Sequence, residues 1–355
     1  ISEFLDSAQL RGMETWLQIQ AAIPPCHRVQ FGEPLLCDTP MLPDGSLGKR
    51  RVDRNASLAS TNLRLYMRAF IKDICTAYPQ ATGLKFDWPE YPVYTFESLF
   101  FDFNPQISPF AKSLGIDFIS LKRGVERFLV ELSNGDIRRA KLSFENADCL
   151  LQSLTAAYPI LEELVALKTA VVSDYAHFLK EVVEEESQGS KKIFLQCFPP
   201  PLNVFTGFDF AGAGAFSDVV GVKFYTMHWP VIERNYVLEL SERTEIEQDK
   251  IIGSLNDLLC FSSTINRSIK DINYPDPCEP HCAPSESITK KFTIAQNALP
   301  KTTELVGITH SYGPLDDVVR RFLALKDAGA DAINVNRYGY LSDEKLQALG
   351  AANKN

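Results

Sequence analysis

The chain has 355 residues, 45% of them hydrophobic, and a formal net charge of -9. That acidity argues against a nucleic-acid backbone as partner, which would call for a basic patch. No run of about eighteen apolar residues occurs, so nothing in the sequence reads as a membrane-crossing helix. The length suits one α/β barrel of about 250 residues with insertions, a single domain over 1–355. The eight cysteines (Cys26, Cys37, Cys75, Cys149, Cys197, Cys260, Cys278 and Cys282) are scattered, several of them inside apolar patterns. That is the usage of buried free thiols and favours a reducing compartment.

In chain order, a short amphipathic segment (ISEFLDSAQLRGM) runs into a strand at 13–21, followed by a Pro-, Gly- and Asp-rich loop to about residue 58. The spacing of Leu63, Tyr66, Met67, Phe70, Ile71 and Ile74 predicts a helix, with Ser57 or Ser60 as its N-cap. The strand GLKFDW follows. Residues 107–190 are mostly helical, with Asn134-Gly135 and Gln188-Gly189 marking helix ends. One helix would suffice to reach the next strand, so this stretch is expected to be an insertion within the barrel, at the end where insertions shape or cover an active site.

Strands recur at about 193–198, 218–226, 304–311 and 331–337. Between the fourth and fifth strands the pattern predicts helices near 244–261 and 286–298 and a Pro/Cys-rich loop at 274–285. In that loop Cys278 and Cys282 flank His281, which suits a disulfide, a metal clip or neither; no further ligands are spaced nearby, so a plain loop is preferred. A last helix starts after Ser342, with Asp343 and Glu344 in its first turn. Two glycosylation triplets, Asn55-Ala-Ser and Asn266-Arg-Ser, are of a kind that arises by chance.

Strands alternating with helices imply a parallel sheet, and the expected fold is a (β/α)8 TIM-type barrel with a helical insertion after GLKFDW. Six strands are legible. Either two βα units precede residue 1 or the strand count is short.

Each apolar run carries polar residues two apart, which share one face of a strand. Gln18 and Gln20 sit on the first strand, Lys85 and Asp87 on the second, Gln196 on the third and Lys223 and Tyr225 on the fourth. His310 sits on the fifth, Asn334 and Asn336 on the sixth, with Arg337 and Tyr338 beyond it. Burying such groups inside a sheet costs several kcal/mol unless they pair or line a site. GLKFDWPEYPVY is the densest motif: Asp87 at the strand end and Glu90 are the candidate catalytic carboxylates, with Trp88, Tyr91 and Tyr94 as flat apolar faces. Two carboxylates with aromatic platforms suit glycoside hydrolysis, one protonating the leaving oxygen while the other attacks or activates water.

Lys223 is expected inside the barrel, either neutralising a carboxylate or binding a substrate group. His228 and Trp229 follow at the mouth, Trp229 pairing with Trp88 as a second stacking surface. Gln20, Lys85, Trp88, Tyr91, Gln196, Lys223, Tyr225, His228, Trp229, His310, Asn334, Asn336 and Arg337 are the candidate substrate-binding residues. There is no G-x-S-x-G elbow, and GFDFAGAGAF does not open a helix after a strand, so neither a serine hydrolase nor a dinucleotide cofactor is expected. Five histidines without HxH or HExxH spacing make a catalytic metal the weaker reading.

The succession AQLRGMETWLQIQAAIPP, YPQATGLKFDWPEYP, VGVKFYTMHWP and INVNRYGYLSDEKL resembles the uncharacterised bacterial glycoside-hydrolase-like TIM-barrel proteins. The resemblance leaves out 107–190 and 262–300. It implies that Asp87 is a catalytic or substrate-binding carboxylate and that METWLQIQ is about the third barrel strand. The QCFPPP strand carries no terminal carboxylate where several sugar-hydrolase families place one. Three functions stand at this point: a carbohydrate-active hydrolase, a non-catalytic sugar-binding barrel, and a metal-dependent hydrolase using His228, His310 and Asp87. The expected ligand in each case is a small molecule or oligosaccharide.

Overall fold

The computed structural model describes residues 1–24, 35–48, 54–135, 147–264 and 267–354. Cys26, Asn266 of the second glycosylation triplet and the side chain of Cys149 lie outside the described residues. All six expected runs form strands: β1 (Trp16–Gln20), β2 (Gly83–Asp87), β3 (Lys192–Cys197), β4 (Val219–Phe224), β5 (Glu304–His310) and β6 (Ala332–Asn336). They pair in parallel, in sequence order, as one sheet. The sheet curls into a half-barrel with β1 and β6 as its edges, compatible with part of a TIM-like barrel. The curl is visible in contacts between inward side chains two strands apart: Trp16 packs edge-on against Phe194, with ring centres 5.5 Å apart, and Gln196 Nε2 donates to Gln18 Oε1 at 3.1 Å.

Strand alternation splits the apolar residues into two cores. Leu84, Phe86, Leu195, Val220, Val222, Phe224 and Leu305 point outward and belong to the main core under the helices. Phe194, Val219, Val306 and Ile308 point inward and form a separate small core with Trp16 and Tyr225. Gly221 makes the inner core possible: a Cβ there would lie 2.4 Å from the Phe194 ring and 2.6 Å from Ile308. Above this plug, toward the strands' C-terminal ends, the inward positions are polar.

After α1 (Ser2–Gln9), α2 (Thr61–Ala77) links β1 to β2. Of the two candidate caps Ser60 is the one used, its Oγ accepting from Leu63 N at 3.1 Å. Leu63, Met67 and Ile71 are buried by α2 as the spacing predicts, each stabilising by about 1.5–3 kcal/mol. The helical stretch that follows comprises α3 (Ser108–Ser113), α4 (Phe118–Ser133), α5 (Ala147–Ala157) and α6 (Ile160–Ser187).

α6 is the return helix. It packs on α2 and β3, and Tyr175 Oη on it donates to the Ala21 carbonyl at 2.6 Å, just beyond β1. α3, α4 and α5 all contact α6. The stretch therefore includes part of the barrel's own framework, with extra helices added onto it.

α7 (Leu202–Thr206) lies between β3 and β4, and α8 (Trp229–Thr244), α9 (Gln248–Leu259) and α10 (Ser285–Ala298) lie between β4 and β5. α11 (Leu315–Asp327) joins β5 to β6, and α12 (Asp343–Lys354) packs on α11. The sequence pattern put one helix near 244–261; the structure has two, with a break at Glu245 in the left-handed region. α8 has no clean apolar stripe, because Glu233 and Glu239 are buried beside Trp229, Ile232, Tyr236 and Val237. Glu233 is satisfied by Arg267, at 2.7 Å.

The six cysteines with described side chains, Cys278 and Cys282 included, are free thiols. Asn55 is 5% exposed, so its glycosylation triplet is shielded in the folded protein. Among the described residues no helix is long and apolar enough to cross a membrane.

Candidate active site

Asp87 ends β2, with its side chain turned into the half-barrel, where Lys223 meets it from β4. Lys223 Nζ lies 3.3 Å from Asp87 Oδ1 and 3.2 Å from Glu90 Oε1. The two carboxylates thus share one ammonium. Burial alone would lower the Lys223 pKa, but Asp87 and Glu90 together hold it above the ordinary lysine range.

Glu90 is fully buried. Its Oε1 accepts from Phe198 N at 2.9 Å and its Oε2 from Thr206 Oγ1 at 2.6 Å. Burial pushes its pKa up to about 7, against the pull of Lys223 and Thr206. With an ammonium and two donors around it, the charged carboxylate is the form this geometry accommodates.

A cavity of about 170 Å³ opens above this cluster. Asp87 and Lys223 border it together with Gln20, Trp88, Tyr225 and His228, and so do Tyr94, Phe198, Trp229, Ile232 and Arg337. Trp88 and Phe198 cage the ammonium, with their ring centres 4.8 and 4.3 Å from Nζ. Tyr94 packs on both rings, and its hydroxyl lies 2.7 Å from His228 Nδ1. Asn336 Nδ2 donates to Tyr225 Oη and its Oδ1 accepts from Arg337 N, so one amide orients two wall residues.

Backbone strain is concentrated here. Among the described residues five non-glycines have positive φ. Gln188, Glu245 and Cys260 are left-handed C-caps of α6, α8 and α9, an ordinary use. The other two, Trp88 (φ 62°) and Arg337 (φ 69°), both border the cavity. Such residues cost about 1–3 kcal/mol each and cluster at functional sites.

Several sequence candidates lie off the cavity or meet it otherwise than expected. The left-handed turn at Trp88 carries the chain behind the sheet end, so Glu90 lies under the pocket floor. Tyr91 is 1% exposed, with its hydroxyl on Asp102 Oδ2 at 3.1 Å. Trp229 touches the cavity wall, but its ring is stacked on Phe261 at 4.8 Å and is not paired with Trp88. Lys85 and Gln196 are buried in the inner face: the Lys85 ammonium sits 4.6 Å from the Phe194 ring centre, and burial lowers its pKa to about 8. Asn334 is half-buried on β6.

His310 is buried, and its Nδ1 accepts from Tyr312 N at 3.0 Å, which puts the proton of the neutral ring on Nε2. Burial, and then the neighbouring cations, lower its pKa to about 3. His228, His310 and Asp87 do not make a metal site: among the described residues no three His, Cys, Asp or Glu side chains are grouped to hold an ion.

Phe198 and Ile232 are wall residues absent from the sequence candidates. The inward positions of β3 are Phe194 and Gln196, and the same two-residue step reaches Phe198, so the signal was present. Tyr94, expected only as a flat apolar face, borders the cavity as well.

Neither a family model nor a curated protein matches the chain by sequence. Solved structures do match in shape. The β-galactosidase from the psychrophilic Marinomonas ef1 superposes with a TM-score of 0.54 at 11% identity, over 99% of this chain and 51% of that one. The catalytic domain of β-amylase from Paenibacillus polymyxa does so with a TM-score of 0.51 at 9% identity, over 99% of this chain and 84% of that one. The chain thus spans about half the length of that β-galactosidase. At such identities the likeness speaks for architecture alone: this chain shares its fold with those two structures.

Proposed function

We propose that the chain is a carbohydrate-active hydrolase that cleaves a glycosidic bond at the C-terminal mouth of the half-barrel, with Asp87 as the reacting carboxylate. One observation carries this reading: Asp87 is the carboxylate bordering a cavity whose walls otherwise combine aromatic faces, the Tyr94 and Tyr225 hydroxyls, the Gln20 amide and the cations Lys223 and Arg337. The cavity is smaller than a drug-sized pocket of about 300–1,000 Å³ and suits a single sugar ring. The Lys223 ammonium sets a positive charge 3.3 Å from Asp87, an arrangement that suits a nucleophile or base better than a proton donor.

Glu90 acts through Lys223 as a positioning residue: it fixes the ammonium that holds Asp87. The leaving group's proton then comes from the cavity wall, where the Tyr94 hydroxyl and His228 imidazole form a hydrogen-bonded pair. A small-molecule glycoside or an oligosaccharide is the substrate class.

A second reading, a sugar-binding barrel without catalysis, draws support from the burial of Glu90, since two-carboxylate hydrolysis needs both groups at the scissile bond. Aryl glycosides and reducing-end release from oligosaccharides, assayed with wild type and Asp87→Asn, separate the two. Hydrolysis by wild type, with a fall of at least about 100-fold in Asp87→Asn, supports the hydrolase. Sugar binding with no turnover, and unchanged affinity in Asp87→Asn, supports the binding barrel.

A further inference from the structure

The charges bordering the cavity are paired unevenly. Lys223 has two carboxylates within 3.3 Å, whereas the Arg337 guanidinium has no carboxylate within ion-pair distance and no hydrogen-bond acceptor among the described residues. Its backbone is nonetheless tightly held: the N–H donates to Asn336 Oδ1 at 3.0 Å, and Ser311 Oγ donates to the carbonyls of Asn336 and Arg337. Arg337 also pays for its place with a left-handed φ of 69° that a glycine would adopt without strain.

The surroundings reinforce the charge. Lys345 lies on the same side, its ammonium donating to the carbonyls of Ser311 and Tyr340 at 2.9 and 3.1 Å, with no carboxylate paired to it among the described residues. Arg321 is nearby as well, but Asp317 neutralises it at 2.8 Å. In a chain of net charge -9, the β5–β6 side of the mouth is therefore cationic. Opposite it stands Asp87, with the Tyr225 hydroxyl, held by Asn336, on the wall between.

We propose that the cavity is built for an acidic sugar, a uronide whose carboxylate is taken by Arg337 while its anomeric carbon faces Asp87. The inference rests on the carbohydrate reading above and narrows it to a substrate class. A guanidinium presents a planar fork that matches a carboxylate with two parallel hydrogen bonds. In a hexuronide the carboxyl carbon is attached on the far side of the ring oxygen from the anomeric carbon. One ring can therefore engage both groups in a cavity of this size. A neutral hexoside would leave Arg337 facing an uncharged hydroxymethyl group.

Matched methyl glycosides test this: glucuronide against glucoside and galacturonide against galactoside, in both anomers, with the 6-sulfates as a further anionic arm. Binding to the full chain is read by calorimetry at low and at physiological salt, for wild type, Arg337→Gln and Arg337→Lys. The expected result is that wild type binds at least one uronide about tenfold or more tighter than its neutral twin. Arg337→Gln should abolish that preference, and Arg337→Lys should keep part of it.

Equal binding of acid and neutral twins, a preference for the sulfates over the uronides, or a uronide preference that survives in Arg337→Gln would each overturn the assignment and leave the carbohydrate reading standing. Binding of none of these sugars would count against the carbohydrate reading itself. Unfolding midpoints of the variants show whether a lost preference reflects lost structure.

Discussion

The two sides of the mouth are built on opposite principles. On the β2–β4 side, Asp87, Glu90 and Lys223 satisfy one another, and backbone N–H groups, a threonine hydroxyl and two aromatic rings close around them. On the β5–β6 side, His310 is buried and neutral, Asn336 uses its amide to orient neighbours, and Arg337 stands exposed with no carboxylate paired to it among the described residues. The first arrangement fixes the electrostatics around Asp87. The second leaves binding capacity available to a ligand. Stability should therefore reside on one side and selectivity on the other.

The largest effect should come from Lys223→Met. Removing the shared cation strands two carboxylates in a buried site, and a loss of about 3–5 kcal/mol in urea unfolding is expected. A Lys223→Met protein as stable as wild type would break the contrast between the two sides.

Acid should act through His310, and through His281 in the 274–285 loop. Burial lowers the pKa of each to about 3 from an ordinary 6.5. In the unfolded chain they take up protons near pH 6.5; in the native protein only near 3. The stability they confer is thus complete above pH 6.5 and lost progressively as the pH falls toward 3. Unfolding free energies measured between pH 7.5 and 4 should fall in wild type and fall less steeply in His281→Gln. Equal slopes would exclude His281 as a source.

Glu90→Gln should cost less than Lys223→Met, about 1–3 kcal/mol, because the amide oxygen can still accept from Phe198 N or Thr206. Coupling with Lys223 sharpens the point: the Lys223→Met/Glu90→Gln pair should be less damaging than the sum of the singles. Additive losses would mean that the two groups act independently.

The smallest effect, and one of opposite sign, belongs to Arg337→Gly. It relieves the left-handed backbone and should raise stability by up to about 1 kcal/mol while removing the charged wall. A stability loss would show that the arginine side chain supports the fold, contrary to the division of labour argued above.

The strands were legible because short apolar runs bounded by turns repeat down the chain, and their inward polar residues could be picked out by the two-residue step. Gln20, Asp87, Lys223 and Tyr225 were found this way and all border the cavity. That rule fails as soon as the strand ends. Tyr91 is close in sequence to Asp87, but the turn at Trp88 takes it into the main core, and Trp229, at the start of α8, reaches the cavity wall with its ring stacked on Phe261. No periodicity reports a left-handed residue. The depth of Glu90 was unreadable for a similar reason: its partners Phe198 and Thr206 come from beyond a different strand, more than 100 residues away. α8 was hidden because its buried acids are paid off by tertiary partners such as Arg267, which a local pattern cannot contain.

The link between Asp87 and Lys223 has a kinetic consequence. The two residues are 136 positions apart, and α6, which packs on β3 and holds the end of β1, lies between them in sequence. Closing so long a loop is entropically costly until the intervening strand and helices have docked. The ion cluster should therefore assemble late in folding, after the sheet from β1 to β4 is in register. Until then Asp87 is an ordinary solvated carboxylate and Lys223 an ordinary ammonium. The chemistry of the mouth would be the last property the chain acquires and the first it loses when β4 comes away.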